Sequence, residues 1–396
     1  MKGNGSRPLR IVHLGKYYPP SPGGIEGHTR TLALAQAALG ADVRVVVINH
    51  AAEDGRDATF DRFTRTGHQQ ESDGAVRVER VGRLANIAKL DIAPGLLATL
   101  RRLHRDPPDI WHLHAPNITM MLALLALPRI GPLVITHHSD IIRQKLLKHA
   151  VRPFESRLYR RAERILSDSP GYIDGSALLQ RYLAKVATLP LGIDLAPFHT
   201  PSRAALDHAT QFHTEYATPL WLCVGRLIYY KGIHVALEAL KDVPGKLLIL
   251  GTGPLETSLK RRAAELGVAD RVVWHGHATA DELVGAFRAA TALWFPSIAR
   301  SEGFGLVQVE AMASGCPVIN TAIPGSGVSW VCRHELEGLT VPMNDPPALA
   351  AAANRLWNEP NFRERLADAG RSRAQAEFNH TVMADRSLSM YREVLA

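Results

Sequence analysis

Two glutamates, Glu302 and Glu310, stand eight positions apart in the largely apolar stretch EGFGLVQVEAMASG (302–315). Burying an unpaired carboxylate is costly, so either both acids lie at a solvated edge or a polar ligand binds there. A carboxylate pair can carry acid/base chemistry, and single carboxylates accept hydrogen bonds from sugar or ribose hydroxyls. The glycine turn and the helix formers after it predict a helix, with Glu302 before it and Glu310 about two turns inside.

The same turn places four backbone N–H groups at the start of that predicted helix: those of Gly303, Phe304, Gly305 and Leu306. Helix N-termini favour negative charge. We therefore interpret the stretch as contacting different parts of one extended, partly anionic ligand. The alternative is a capped helix with two exposed acids.

Arg226 and Lys231 occur in VGRLIYYKG (224–232), directly after an apolar run of strand length. A planar guanidinium fork and a compact ammonium can neutralise separate oxygens of a diphosphate. Ligands of doubly wound sheets bind at the carboxyl ends of the strands, which is where this loop is predicted to lie. The alternative is a pair of solvated loop cations.

Two motifs in the first half of the chain carry polar groups after strands. ITHHSDIIRQK (135–145) contains His137, His138 and Asp140, and strand alternation predicts that only one histidine enters a cleft. A metal site is not expected there, because the sequence shows no further metal ligands at a suitable spacing. PPSPGGIEG (19–27) contains Gly23, Gly24 and Glu26 and would let backbone approach an anion, although a plain connecting turn explains it as well.

Strand-length apolar runs alternate with helical patterns along the chain, which predicts an α/β protein with parallel sheets covered on both faces. The series stops near residue 195 and restarts near 219, so we predict two doubly wound domains. Residues 1–195 form the first and 196–378 the second, with 196–218 as a polar linker. The helical tail 379–396 is expected to pack back on the first domain.

The composition is typical of a globular protein and does not indicate a disulfide-rich or membrane-spanning one. The 396 residues are 46% hydrophobic and 21% charged, and three cysteines offer no metal spacing or disulfide framework, which fits a reduced cytoplasm. The apolar stretch 118–136 is interrupted by prolines and predicts a buried helix and a strand, not a membrane span.

The basic excess lies in residues 1–195, with 27 lysines and arginines against 18 acidic residues, and is densest at 143–164. This asymmetry indicates an anionic membrane surface or polyanionic partner; an Arg-rich solvated helix face is the alternative. Arg157, Arg160, Arg161 and Arg164 are the candidate membrane patch. We expect no nucleic-acid partner.

Taken together, the GGxE loop, the strand-end TxH, GRLxxxKG and EGFGLxxxEAMAxGxPVI resemble the retaining GT-B glycosyltransferases of family 4, in which two Rossmann-like domains face each other across a cleft. The resemblance spans nearly the whole chain. HHSDIIRQK, SPGYIDGSALL, LPLGID and VINTAIPGSGVSWV are most similar to bacterial GDP-mannose-dependent mannosyltransferases of O-antigen or exopolysaccharide assembly.

The resemblance implies a role for each candidate residue. Arg226 and Lys231 would hold the donor diphosphate, Glu310 the ribose, and Glu302 the transferred hexose, together with the N–H groups of 303–306. His138 would contact sugar or acceptor, and Gly24 would approach the diphosphate. His275 lies in WHGH (274–277), where the family holds the base through backbone groups. Gly23, Glu26, His138 and Asp140 are the acceptor-side candidates.

The implied enzyme is a cytoplasmic, metal-independent, retaining hexosyltransferase, possessing no cofactor and peripheral on the inner membrane face. Its implied donor is GDP-mannose, with a UDP-sugar second, and its acceptor a polyprenyl-diphosphate-linked saccharide. The absence of a D-x-D pair fits metal independence, and front-face attack needs no carboxylate nucleophile. The alternatives are a UDP-sugar transferase with a small soluble acceptor, a sugar-nucleotide epimerase and a non-catalytic sugar-binding protein. Starch and glycogen synthases are disfavoured because the early glycine loop lacks lysine.

Overall fold

The computed structural model describes residues 7–21, 23–52, 54, 56–59, 61–87, 90–128, 130–140, 145–216 and 218–396, without the side chains of 145–150. The chain divides into two compact units. The first unit comprises residues up to Asp168, Ser176–Ile193 and His380–Ala396, and the second comprises Ser169–Gly175 and Asp194–Asn379.

The strands of the first unit are β1 (Arg10–Leu14), β2 (Asp42–Ile48), β3 (Gln69–Asp73), β4 (Val76–Val81), β5 (Ala85–Ile87), β6 (Leu90–Ile92), β7 (Ile110–Ala115), β8 (Leu133–His137), β9 (Arg164–Ser167) and β10 (Val186–Thr188). Its helices are α1 (Gly24–Ala38), α2 (Gly95–Arg105), α3 (Ile118–Leu125), α4 (Lys145–Arg161) and the last helix of the chain, α15 (His380–Leu395).

Within the described residues, eight of these strands form one sheet in the order β10-β9-β8-β7-β1-β2-β4-β3, with only β3 antiparallel to its neighbour. β5 and β6 pair separately as a hairpin. The strand order reverses on either side of β1, which is the doubly wound arrangement, and α15 packs against α1. Met383, Leu388 and Tyr391 of α15 contribute to the same buried core as β2.

The second unit begins with α5 (Pro170–Gly175) and continues after residue 194. Its other helices are α6 (Ala196–His199), α7 (Arg203–Tyr216), α8 (Ile233–Ala239), α9 (Glu256–Glu265), α10 (Ala280–Ala289), α11 (Leu306–Ser314), α12 (Val328–Val331), α13 (Pro346–Asn358) and α14 (Pro360–Glu377). Its strands are β11 (Leu220–Val224), β12 (Lys246–Leu250), β13 (Val272–Gly276), β14 (Ala292–Phe295), β15 (Val318–Thr321) and β16 (Gly338–Val341).

In the described part of this unit the six strands are all parallel, in the order β13-β12-β11-β14-β15-β16. Trp221 and Trp294 stack with ring centroids 5.1 Å apart at the centre of its core. β11 is the strand at which the order reverses, so the loops after β11 and β14 flank the point where ligands bind in such sheets.

α5 joins the second unit although its neighbours in sequence belong to the first. Gly175 lies so close to Gly325 that a Cβ on either glycine would crowd the other's Cα. Arg300 donates hydrogen bonds to the carbonyls of Gly325 and Tyr172 and lies over the Tyr172 ring. Close glycine packing and this one guanidinium therefore anchor the segment.

The apolar run before Arg226 folds as strand β11, and 118–136 folds as helix α3 followed by β8, as predicted. No helix in the described residues is both long and apolar enough to cross a bilayer. The linker prediction for 196–218 is wrong, because the described residues there include α6 and α7. Ala205, Ala209 and Phe212 follow helical spacing and are buried, and α7 packs on α10.

Candidate active site

Lys231 and Glu302, which lie after β11 and β14, form an ion pair in the second unit. The Lys231 Nζ lies 2.6 Å from Oε2 of Glu302, and the Ser297 hydroxyl donates to the same oxygen at 3.3 Å. Lys231 also lies over the Phe295 ring, 5.1 Å from its centroid. Glu302 is only 9% exposed, so the ammonium compensates a carboxylate that would otherwise be buried unpaired.

The loop that carries Lys231 ends at Gly232, the residue before α8. Gly232 has φ of 65°, in the left-handed region, and a Cβ there would overlap the carbonyl oxygen of Pro296. The loops after β11 and β14 can approach each other only because this residue is glycine. This close approach brings Lys231 to Glu302.

The N-terminus of α11 presents backbone donors beside this ion pair. Within residues 218–396, all of which the structure describes, the N–H groups of residues 303–306 have no protein acceptor. The Gly303 carbonyl accepts from the N–H of Gly327 at 2.7 Å and from Ser326 Oγ at 3.1 Å. These contacts hold the Gly303 carbonyl, and the unpaired N–H groups at the start of α11 offer a site for an anion.

Ser326, Gly327 and Ser297 were not among the residues predicted from the sequence. Ser326 Oγ also lies 2.6 Å from the Glu302 carbonyl, so it secures both residues that precede the turn. The signal for Ser326 and Gly327 is the AIPGSG loop (322–327) after β15, and that for Ser297 is its position just after β14, so all three would be expected at the same sheet edge.

Glu310 is the fifth residue of α11, about one turn inside the helix and not two, because the helix begins at Leu306. Burial raises the pKa of its carboxyl to about 7, and the charge of Lys231 opposes that shift. The carboxyl therefore titrates near neutral pH, and removal from water is the main cause.

Arg226 is exposed, and no hydrogen bond or ion pair engages its guanidinium within residues 218–396. His275, near the end of β13, contacts Phe212 edge-on and lies 3.5 Å from Glu282. Glu282 belongs to the capping box of α10, so the His275 side chain faces helices, while the neighbouring Gly276 carbonyl accepts from Gly251. The ligand roles of Arg226 and His275 stay predictions.

In the first unit, His137 and His138 contact different partners, which fits the alternation of side chains along a strand. His137 Nδ1 lies 2.7 Å from the Tyr159 hydroxyl, whereas His138 Nε2 lies 3.1 Å from Nδ1 of His114. Asp140 accepts from Ser176 Oγ at 2.8 Å and lies 3.3 Å from His137. His138 is partly exposed at the carboxyl end of β8, whereas Asp140 contacts groups of its own unit.

The early glycine loop leads directly into α1. Gly23 and Gly24 are exposed, and the Glu26 carboxylate folds so closely over Gly23 that a Cβ there would overlap it. A Cβ on Gly24 would meet nothing within 4 Å. Burial raises the pKa of Glu26. Backbone at Gly24 is thus open to a ligand.

Four histidines that were not predicted as site residues lie near His138: His13, His28, His112 and His114. The ligand nitrogens of His13, His112 and His114 lie within 4.8 Å of one another, and so do those of His28, His114 and His138. However, His13 Nδ1 and His114 Nε2 are already hydrogen-bonded at 3.0 Å. Four of these five imidazoles are therefore hydrogen-bonded, whereas neither ring nitrogen of His28 has a hydrogen-bond partner among the described residues. Its sequence signal is WHLH (111–114), where two histidines share one strand face.

The predicted membrane patch divides into two pairs. Arg157 and Arg160 are exposed on α4. Arg161 donates to the carbonyls of Leu124 and Pro128, and Arg164 pairs with Glu393 at 3.2 Å. Residues 141–144 and the side chains of 145–150 lie outside the described part of this basic segment.

Comparison with known proteins identifies the family. The chain matches the model of the glycosyl transferase 4-like domain over residues 23–192 and that of glycosyl transferases group 1 over residues 211–373. It is 29% identical to O-antigen chain mannosyltransferase C of Escherichia coli over 98% of this chain and 99% of that protein. It is 32% identical to D-rhamnosyltransferase WbpZ of Pseudomonas aeruginosa over 72% of this chain and 75% of that protein.

Among solved structures, sucrose-phosphate synthase from Thermosynechococcus elongatus is similar in fold, with a TM-score of 0.76 at 24% identity over 97% of this chain and 99% of that one. The family and the fold class predicted from the sequence are thereby confirmed. The chain belongs to the glycosyltransferases of the GT-B fold, with a family-4-like amino-terminal part and a group 1 carboxy-terminal part.

Proposed function

We propose that the protein transfers mannose from GDP-mannose, with retention of configuration and without a metal ion, to a polyprenyl-diphosphate-linked saccharide during cell-surface polysaccharide synthesis. The observation that carries the proposal is the set of groups at the sheet edge of the second unit. Lys231 pairs there with Glu302 beside the N–H groups of 303–306, which have no acceptor within residues 218–396; Arg226 precedes Lys231 in the same loop, and Glu310 lies one turn inside α11. This set suits a nucleotide sugar, which has a diphosphate between two hydroxyl-bearing rings.

The site supplies stabilisation for a leaving nucleoside diphosphate. Negative charge develops on the leaving phosphate as the glycosidic bond breaks, and preorganised cations and N–H dipoles stabilise it without further reorganisation. Arg226 and Lys231 take the place that a metal ion would otherwise fill. The choice of sugar is supported by the names of two relatives, one a mannosyltransferase and the other a D-rhamnosyltransferase.

Glu302 has a binding role in this proposal and is not a nucleophile. The leaving phosphate takes the acceptor's proton in front-face attack, so no carboxylate needs to form a bond to the sugar. Lys231 lies 2.6 Å from Glu302, whose carboxylate oxygens accept hydrogen bonds from hexose hydroxyls in this proposal. Intact-protein mass spectrometry during turnover is expected to show no glycosyl adduct, and a hexose on Glu302 would contradict this role.

A thermal-shift panel with GDP-mannose, UDP-glucose and ADP-glucose tests the donor. A ligand that binds only the native state raises its stability, so GDP-mannose should give the largest shift, and Arg226→Ala should reduce it. Product is then analysed with and without a polyprenyl-diphosphate-linked acceptor. Transfer only with acceptor, giving the donor's anomeric configuration, is the expected result. Product without acceptor indicates an epimerase, and a shift only with UDP-glucose would overturn the donor.

We also propose that α4 docks on an anionic membrane through Arg157 and Arg160. Phe154 on the same helix is 47% exposed, so the exposed surface combines basic and aromatic groups, as interfacial helices do. Arg157→Ala/Arg160→Ala should weaken sedimentation with phosphatidylglycerol-containing liposomes. Arg101→Ala/Arg105→Ala is the matched control, because it removes the same charge from exposed positions of α2. Equal binding by both double variants would remove the membrane proposal.

A further inference from the structure

A continuous line of hydrogen-bonded side chains runs from His138 to the last helix of the chain. His138 Nε2 lies 3.1 Å from His114 Nδ1, and His114 Nε2 lies 3.0 Å from His13 Nδ1. His13 Nε2 lies 2.7 Å from Oε1 of Gln36, whose Nε2 lies 2.8 Å from Ser387 Oγ. We call these five residues the histidine chain. It lies entirely within the first unit.

Ser387 fixes the direction of every hydrogen bond in the chain. Its Oγ lies 2.6 Å from the Ala384 carbonyl oxygen, and since a carbonyl cannot donate, the Ser387 hydroxyl hydrogen must lie between them. The Ser387 oxygen therefore accepts from Gln36, so the Gln36 atom facing it is the amide nitrogen. The Gln36 oxygen then faces His13 and accepts a hydrogen from His13 Nε2.

The direction propagates because the histidines are neutral and each carries one ring hydrogen. Burial lowers the pKa of His13 to about 4 and holds those of His114 and His138 well below the ordinary value. With its hydrogen on Nε2, His13 accepts at Nδ1 from His114 Nε2. His114 in turn accepts at Nδ1 from His138 Nε2. His138 Nδ1 is left with a lone pair.

A side branch obeys the same polarity. Gln36 Nε2 also donates to the Tyr391 hydroxyl at 3.2 Å, which leaves the Tyr391 hydrogen for Nδ1 of His112. His112 Nε2 then donates to Thr136 Oγ1 at 2.7 Å. All these groups are buried, so a reversed bond would leave donors or acceptors unpaired at a cost.

We propose that α15, through Ser387 and Gln36, fixes His138 in the tautomer with its hydrogen on Nε2, so that Nδ1 accepts a hydrogen bond from a substrate hydroxyl. Among the described residues Nδ1 has no hydrogen-bond partner, and His138 is partly exposed. Gln36 and Ser387 are positioning residues. The inference rests on the proposed function in one respect, that the hydroxyl belongs to the sugar or the acceptor.

This arrangement makes His138 a specificity-determining group. A site built to accept from a hydroxyl discriminates strongly against an analogue that lacks the hydroxyl, because a buried polar group is then left unpaired. The wild-type enzyme should therefore reject one monodeoxy GDP-mannose or one deoxy acceptor much more strongly than His138→Ala does.

The primary test is nitrogen-15 NMR of the full chain with labelled histidine and no substrate, with the His138 signals assigned by their loss in His138→Asn. Wild type should show His138 protonated at Nε2. Gln36→Met removes the amide at similar size and should give a mixture of tautomers. Gln36→Glu should keep the wild-type tautomer, because a buried, protonated carboxyl can accept from His13 and donate to Ser387.

Leu388→Ala is the matched control, because Leu388 is buried in the same α15 interface but lies outside the histidine chain. It should lower the melting temperature and leave the tautomer unchanged. With GDP-mannose as probe, Gln36→Met should lower kcat about fivefold, the effect of one ordinary neutral hydrogen bond, with little change in KM for the donor. Gln36→Glu should recover most of that loss.

His138 protonated at Nδ1 in wild type, or the same tautomer in wild type and Gln36→Met, would overturn the inference. So would one equivalent of zinc in the purified protein bound by these imidazoles, since the lone pairs would then coordinate metal. If the tautomers are as stated but mannose is not transferred, the proposed function fails and the tautomer assignment holds. If mannose is transferred and the tautomers differ, only the inference fails.

Discussion

The two units have the same doubly wound architecture but different electrostatics near the carboxyl ends of their central strands. The first unit places neutral, mutually hydrogen-bonded imidazoles there, ending at His138. The second places an ammonium, a guanidinium, two carboxylates and the N–H groups of a helix start. Because both sheets are doubly wound, side chains and not the fold determine what each edge can bind. A neutral acceptor suits hydroxyls, whereas an array of charges suits a diphosphate.

The largest effect is expected from removing the cations of the second unit. Arg226→Ala and Lys231→Met should each lose roughly 2–4 kcal/mol of transition-state stabilisation, about 30-fold to 10³-fold in kcat, as when one oxyanion donor is lost. Steady-state transfer from GDP-mannose measures this. Lys260→Ala is the control, since this exposed lysine of the same unit pairs with Glu256 on α9. Near wild-type turnover in both variants would contradict the site.

Lys231→Met should also destabilise the protein, because it leaves Glu302 buried without its partner. Adding Glu302→Gln should restore the melting temperature and not the activity. Arg226→Ala should keep wild-type stability. If Lys231→Met unfolds no more easily than Arg226→Ala, the ion pair has no structural role.

The first unit should lose stability in acid. Burial lowers the pKa of His13 to about 4 and that of His28 to about 3, whereas both titrate near 6.5 when unfolded. Between those values the unfolded chain binds more protons, so the free energy of unfolding falls as pH drops below about 6.5, by a few kcal/mol between pH 8 and pH 5. Hydrogen exchange of peptides from β7, measured at pH 8 and at pH 5, reports this loss of stability.

His28→Phe is the specific control for this acid effect. His28 is 4% exposed, and neither ring nitrogen has a hydrogen-bond partner among the described residues, so phenylalanine can replace it without breaking a hydrogen bond. The variant should show a shallower loss of protection in acid. An unchanged pH dependence would mean that His28 is not held neutral.

The second unit should show the opposite pH dependence at Glu310. Its pKa is raised from an ordinary value near 4.5 to about 7, so the native state keeps this proton to higher pH. Stability therefore falls as pH rises from 4.5 to 7 and stays lower above that range. Glu310→Gln should raise the free energy of opening of β11 at pH 8 by at most about 3 kcal/mol, with little effect at pH 4.

Glu310→Gln should also weaken donor binding, because the amide is a poorer acceptor for two ribose hydroxyls than an ionised carboxylate. Isothermal titration with GDP measures the change. Unaltered GDP affinity at pH 8, together with the expected gain in stability, would separate the titration of Glu310 from its ligand role.

The smallest effect is expected at the early glycine loop. Gly24→Ala places a methyl group where the structure has open space, so it should leave stability unchanged or slightly higher. If a diphosphate approaches this backbone, kcat/KM should fall roughly fivefold, the loss of about one hydrogen bond. Gly27→Ala is the matched control on α1, since a Cβ there also meets nothing within 4 Å. Equal activity in both variants would remove Gly24 from the site.

Much of the fold could be predicted because buried parallel strands are nearly continuous apolar runs, as in DVRVVVI of β2. β3 and β4 were missed since QQESD is an exposed edge strand and VRVERV contains charges. Glu79 of β4 is buried but pairs with Arg102, and Arg80 pairs with Glu71. Partners that distant in sequence cannot be identified from one strand's pattern.

The residue types of the candidate site could also be predicted, but not their mutual contacts. Lys231 and Glu302 were assigned to different parts of a ligand, and their ion pair appears only once two strands lie side by side in the sheet. The histidine chain was missed because a single histidine in an apolar strand is usually a core residue. Its members come from β1, α1, β7, the end of β8 and α15, so only the fold brings them together.

The placement of Ser169–Gly175 with the second unit, and of His380–Ala396 with the first, has a consequence for engineering and for recombination between relatives. Neither unit is a contiguous piece of the gene. An exchange that transplants residues 194–379 alone would separate Gly325 from Gly175. The recipient's own 169–175 segment would then pack against Gly325, where there is no room for a side chain. A productive chimera must carry 169–175 along with 194–379 and leave the final helix behind, so the second unit is inherited as two sequence fragments.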